Sequence, residues 1–226
     1  YYNGVIEQVY NHVGTTEKNI VMANYNNDFS IKNLETVKRY RAQMDSVFFA
    51  SREFGYRELT GAYEPFLDII CDMFRAYGTG DFDAFLDGCG VYELHKEILR
   101  SYYESGICKR NENVLLNEVA YEQNRMTEAM TAMLKALAKE HPLMLVINRF
   151  QMASRSTFEL VHDLIAHPDK NIGLVLGVND SVGRKESVAD MWDSIVESLK
   201  DRSQLYNIGS SDHRRTEIAR EHALGE

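Results

Sequence analysis

The chain is poor in the residues that staple or break a polypeptide. Three prolines in 226 residues leave room for long regular elements. Three cysteines (Cys71, Cys89 and Cys108) are odd in number and form no C-x-x-C pair. They argue against a disulfide scaffold and fit a reducing cytoplasm. Cys71 falls inside an apolar helical run and reads as a small core residue. No apolar run approaches the ~20 residues that span a bilayer, and no signal peptide is visible at the amino end. Positive charge is also in deficit: 25 basic against 34 acidic residues give −9. That argues against a general nucleic-acid-binding surface. The chain opens on Tyr1 rather than Met, as expected of a piece of a longer polypeptide.

What is present is an alternation of short apolar runs and amphipathic helices. Residues 143–147, opened by Pro142, are five apolar residues in a row followed at once by the polar pair Asn148 and Arg149. Such a run suits a strand buried on both faces, the habit of parallel sheets. Residues 19–23, 46–50, 171–178 and 204–208 read as further strands. Helical spacing predicts helices over 2–13, 31–44, 62–77 (Pro65 in its first turn), 154–167, 188–199 and 212–223. Residues 51–60 read as a polar connection. Residues 78–140 are helical in character, with helices at 82–86, 94–103 and 114–137, and form an insertion between the second and third strands. In the last of these, Met126, Met130, Met133 and Leu137 recur at helical spacing, either as an adaptable binding groove or as a core face. Strands alternating with helices imply right-handed crossovers, hence an α/β fold with a five-stranded parallel sheet and helices on both faces. A single domain over residues 1–226 accounts for all of it.

Polar residues just past the carboxyl end of a buried parallel strand occupy the crevice where open α/β sheets bind ligands. A nucleotide-hydrolysing enzyme would place an acidic pair after residue 147, one carboxylate for magnesium and one for the attacking water; here stand an amide and a guanidinium. A phosphate-binding loop of the pattern G-x-x-x-x-G-K-[ST] needs glycines so that backbone N–H groups wrap phosphates. Laid on residues 26–33, it meets Asn26 and Ile31 in place of both glycines. Lys32 takes the lysine position, and Asn33 replaces the magnesium-holding hydroxyl. Other constellations are weaker. Glu159 and His162 have the spacing of half a di-metal helix motif without a second copy, and His213, Arg214 and Arg215 form a small basic cluster at a helix start. Gly55 and Gly61 flank a loop that names no chemistry.

The order of elements resembles the nucleotide-binding core of the STAND class of AAA-like P-loop NTPases, the ATPase modules of large bacterial signalling proteins such as LuxR-type regulators and cyclase-linked proteins. Residues 2–13 resemble that class's opening helix, and Tyr63-Glu64-Pro65-Phe66 its Y-x-P-F helix. Residues 143–153 with Ser156-Thr157-Phe158-Glu159-Leu160 resemble its Walker B strand and the turn and helix after it, and residues 171–178 its sensor strand. The resemblance covers nearly the whole chain and rests on order and apolar pattern. It implies a sheet in which the first strand lies between the fifth and fourth, and the third between the fourth and second. It also implies a core that switches by nucleotide-dependent packing against following domains. The departures at Asn26, Ile31, Asn33, Asn148 and Arg149, and Asn179-Asp180 where the class often has an arginine, imply a core that has lost hydrolysis.

Two expectations follow. One is a catalytically degenerate ATPase-like module without cofactor or metal, a regulatory or scaffolding unit of a larger cytoplasmic signalling protein. It would contact neighbouring domains or homo-oligomer subunits rather than membrane or nucleic acid. Arg149 would then stand as an internal cation paired with a carboxylate, Asp28 first among the candidates. The alternative is an active switch that binds ATP with magnesium through Lys32 and unorthodox partners. An unrelated α/β enzyme using the same crevice is a third.

Overall fold

A computed structural model describes the chain except for residues 27–28, 44–45, 57–60, 108–118, 184–185 and 209–226; of residues 119–121 and 208 it describes the backbone alone. Five strands, β1 (Ile20–Tyr25), β2 (Phe48–Glu53), β3 (Leu143–Asn148), β4 (Ile172–Asn179) and β5 (Leu205–Ile208), form one sheet. Every pairing is parallel, and the order is β2-β3-β4-β1-β5, the order that the resemblance implies. Helices α1 (Tyr2–His12), α2 (Glu35–Ala42), α3 (Phe66–Tyr77), α4 (Phe82–Gly88), α5 (Glu93–Ser105), α6 (Val119–Glu140), α7 (Arg155–Ala166) and α8 (Ala189–Asp201) flank it. The helical segment α4–α6 lies between β2 and β3 in the chain, where the sequence places an insertion.

Side chains alternate across a strand, so each run feeds two cores. Val21, Ala23, Phe49, Met144, Val146 and Val175 pack with Val5, Ile6 and Val9 of α1 and Val37 and Tyr40 of α2. Met22, Phe48, Leu145, Ile147, Leu174 and Leu176 face the larger core built by α3, α6, α7 and α8. Both glycines of β4 belong to the first face. A Cβ on Gly173 would stand 2.5 Å from a Val13 methyl, and one on Gly177 would stand 2.2 Å from the Tyr2 hydroxyl. Their bare backbone is what lets α1 lie close along β4. The methionine stripe is a core face from Met130 onward: Met130 and Met133 are fully buried and Leu137 is buried with them, while Met126 is only partly buried. Cys71 is buried as expected.

Three sequence boundaries need correction. The helix expected over 31–44 is a short 3₁₀ turn, Ile31–Asn33, then an extended Leu34, then α2; Met44 lies outside the described residues. Pro65 is not in the first turn of α3 but caps it. Residues 62–65 form a turn with Tyr63 at φ 56°, after which the Phe66 N–H bonds to the Tyr63 carbonyl. Finally, β2 runs three residues beyond its apolar run, because Ser51, Arg52 and Glu53 pair in register with Val146, Ile147 and Asn148. The expected terminal helix 212–223, the cluster at residues 213–215 and the start of the 114–137 helix lie outside the described residues.

Candidate functional site

The carboxyl ends of β1, β2, β3 and β4 converge on one crevice, and Asn148 is its centre. This side chain is fully buried. Its Oδ1 accepts a 2.6 Å hydrogen bond from the Tyr25 hydroxyl, and its Nδ2 donates to the Phe29 carbonyl at 3.2 Å. Both ends of the amide are thereby committed to the chain that leaves β1. An aspartate could accept from Tyr25 but could not donate to Phe29, which accounts for the amide at this position.

Aromatic rings fill the adjoining space. Tyr2, Tyr25 and Phe29 form a triangle with centroid separations of 6.0, 5.1 and 4.6 Å. The Tyr2 hydroxyl is buried against Gly177 without a hydrogen-bond partner among the described residues. Burial, with Tyr25 and Glu53 nearby, pushes its phenol well above the usual range, so it stays protonated.

Arg149 and Glu53 close the crevice. Arg149 adopts a left-handed backbone conformation (φ 56°) immediately after β3. Its Nη1 lies 3.1 Å from Glu53 Oε1 and donates to the Phe54 carbonyl at 3.2 Å, and its guanidinium sits over the Tyr56 ring at 4.6 Å. The second oxygen of Glu53, Oε2, accepts a 2.8 Å bond from the Ile31 N–H. One carboxylate therefore bridges a cation and the backbone N–H that opens the 3₁₀ turn, and both charged side chains are only 14% exposed. The expectation of a carboxylate partner for Arg149 holds, but the partner found is Glu53; Asp28 lies outside the described residues. Asn179, at the end of β4, is also satisfied. It donates to the Tyr56 hydroxyl at 2.8 Å, and its own Oδ1 caps the Ser181 N–H at 3.0 Å. Gln151 ties β3 to β4 by donating to the Asn179 carbonyl at 3.1 Å.

The remaining sequence candidates are spread along the rim. Ile31 is buried, Lys32 and Asn33 are exposed, and Asn26 is exposed with its carbonyl accepting from the Ser181 hydroxyl at 2.7 Å. The structure thus brings Ile31 and Asn148–Arg149 together and leaves Lys32 facing solvent. Sequence reasoning missed Tyr2, Tyr25, Phe29 and Glu53. For Glu53 a signal existed: it is four residues beyond Phe49 and so shares that side chain's inward face.

Magnesium and a nucleotide, which the resemblance would bring here, do not fit these residues. The Ile31 N–H is already bound to an anion that would repel a phosphate, the Asn148 amide is used at both ends, and Phe29 closes the cluster with its ring. Glu159 and His162 do not act as a pair either: Glu159 accepts from Gln123 and Arg155, while His162 meets Ser194. Among the described residues no group of three or more His, Cys, Asp or Glu side chains is arranged to hold a metal, and no helix is long and apolar enough to cross a membrane. No family profile, curated protein or solved structure matches this chain.

Proposed function

We propose that the chain is a catalytically degenerate NTPase-like module that works by contact. In this reading it is a regulatory or scaffolding domain of a larger cytoplasmic signalling protein and holds one arrangement without nucleotide. The observation that carries it is the bridging of Ile31 N–H and Arg149 by the Glu53 carboxylate. A part-buried carboxylate that faces a guanidinium at ion-pair distance and accepts from a backbone N–H is a charge-assisted network. It supplies internally both the anion and the cation that a magnesium nucleotide would bring. The apolar framework on both sheet faces is intact, as expected where folding is required and hydrolysis is not. The surfaces that do the work would be those turned to neighbouring domains or to other subunits.

Calorimetric titration with Mg-ATP tests this directly. The expected result is no saturable heat. Micromolar affinity (about −8 kcal/mol), or turnover abolished by Lys32→Ala, would overturn the proposal in favour of an active switch.

A further inference from the structure

A second concave site lies away from the crevice, between the turn at residues 61–65, the amino-terminal ends of α5 and α6, and the start of α7. It is an open cleft of about 480 Å³, a volume within the range of small-molecule sites. Leu94, Ile98 and Met126 give it apolar walls, and His95 and Glu122 give it a polar one.

The polar wall is unfinished. His95 is 3% exposed, and its Nδ1 has no hydrogen-bond partner among the described residues. Its Nε2 stands 2.9 Å from Glu122 Oε2, at ion-pair distance but out of hydrogen-bond alignment. Burial lowers the His95 pKa, aided by Arg125 and opposed by Glu122. The Glu122 carboxylate is 18% exposed, and its Oε2 has no hydrogen-bond partner among the described residues. Buried polar groups in native proteins are nearly always paired, and an unpaired pair of this kind asks for a partner.

The apolar wall is preorganised. Tyr63 is held at φ 56°, a costly conformation for a bulky residue. Its N–H donates to Ser156 Oγ at 3.0 Å, and its hydroxyl meets the Gln123 carbonyl and Thr127 at 3.1 Å. Burial pushes that phenol up to about 12. An anion is the less suitable guest. The start of α7 is already capped by Ser154 on the Thr157 N–H, and Arg155 is taken up by Glu159 and Asp190.

We propose that this cleft binds a small organic cation, an ammonium on an apolar body, with the ammonium against Glu122 and the body against Leu94, Ile98 and Met126. The test is methyl NMR of the full chain labelled at methionine, with Met126 assigned by Met126→Leu. Phenethylammonium, 3-phenylpropionate and 2-phenylethanol serve as probes of similar size and opposite, or no, charge. The expected result is a saturable shift of the Met126 methyl with phenethylammonium, with about tenfold weaker binding of the other two, and about tenfold weaker phenethylammonium binding in Glu122→Gln. No shift at Met126, or equal binding of the three probes, would overturn the proposal. The three-probe comparison uses only the wild-type chain, so it decides the matter even if Glu122→Gln fails to fold.

Discussion

The crevice and the helical cleft differ in how their polar groups are satisfied. In the crevice, Asn148, Asn179, Arg149 and Glu53 all have partners, and the Tyr2 hydroxyl beside Gly177 and the Gln151 Oε1 are exceptions. In the cleft, the buried His95 and the part-buried Glu122 meet each other out of alignment and leave a ring nitrogen unpaired. Yet the crevice is the place where fold rules look for a ligand. The difference teaches that topology marks where a ligand could bind, whereas the state of the buried polar groups tells whether one is still needed. A site whose charged groups are partnered resists a guest, and one that leaves a carboxylate oxygen unpartnered invites it.

The sharpest way to break this comparison is to remove the crevice's charges. Arg149→Ala leaves the Glu53 carboxylate largely buried beside a single N–H donor, and breaking such a pair costs ~3–5 kcal/mol. Glu53→Ala strips a partner from both Arg149 and Ile31. The double variant should lose clearly less than the sum of the singles, with coupling above ~1 kcal/mol in urea unfolding. Small, additive losses would mean that the crevice is open and the contrast with the cleft unfounded.

Asn148→Asp restores the acid that the resemblance implies, and it should destabilise by about 2–3 kcal/mol. It loses the donor to the Phe29 carbonyl and buries a charge. Burial raises a carboxyl pKa in the folded state above its unfolded value. The folded variant then binds more protons than the unfolded one, so its deficit against wild type is full above the folded pKa and shrinks as pH falls through it. A deficit that instead grows in acid would show a cation free to meet the new carboxylate. Arg149 would then not be held by Glu53. Melting curves of both proteins across pH 4–8 (roughly the carboxyl-to-neutral range) read the sign.

Gly177→Ala tests the aromatic filling. Its Cβ would stand 2.2 Å from the Tyr2 hydroxyl and 2.8 Å from Asn148 Oδ1. Overpacking of this kind costs ~1–3 kcal/mol. Tyr2→Phe removes the closest clashing atom and an unpaired buried hydroxyl, so it should restore part of the loss in the double variant and be neutral or slightly stabilising alone. Absence of any rescue in thermal melting would place α1 less firmly over β4 than the packing requires.

Much of this arrangement was legible in the sequence, and unevenly so. The apolar runs at 143–147 and 171–178 are unmistakable because both faces of those strands are buried, and they gave the sheet; the strand order came from the resemblance. The crevice was legible at Asn148 and Arg149, since polar residues directly after such a run have few places to point. Glu53 shares the face of Phe49 but stands at the end of an edge strand, whose last three residues are only partly buried and read as loop. The break at Leu34 was hidden because residues 31–44 keep a helical apolar spacing, while the Ile31 N–H is drawn to a side chain 22 positions away. Asn148's two partners are likewise 123 and 119 residues distant. Local pattern carries no information about bonds of that span.

The smallest expected effect is at Lys32, on the rim of the crevice. On the proposed reading Lys32 takes the position of a phosphate-binding lysine, but it is exposed on the 3₁₀ turn before α2, while the neighbouring Ile31 N–H is bound to Glu53. A solvated lysine away from a cap or buried network contributes within about ±0.5 kcal/mol. Lys32→Ala should therefore leave the urea midpoint and the melting temperature almost unchanged, and it should leave an already featureless Mg-ATP titration as it was. If Lys32 served a hidden nucleotide site, the wild-type chain would gain stability with Mg-ATP by mass action, rising with concentration, and the variant would not. A concentration-dependent rise in melting temperature that disappears with Lys32→Ala would therefore reopen the crevice. Identical flat responses from both proteins would leave the helical cleft as the better place to look for a ligand.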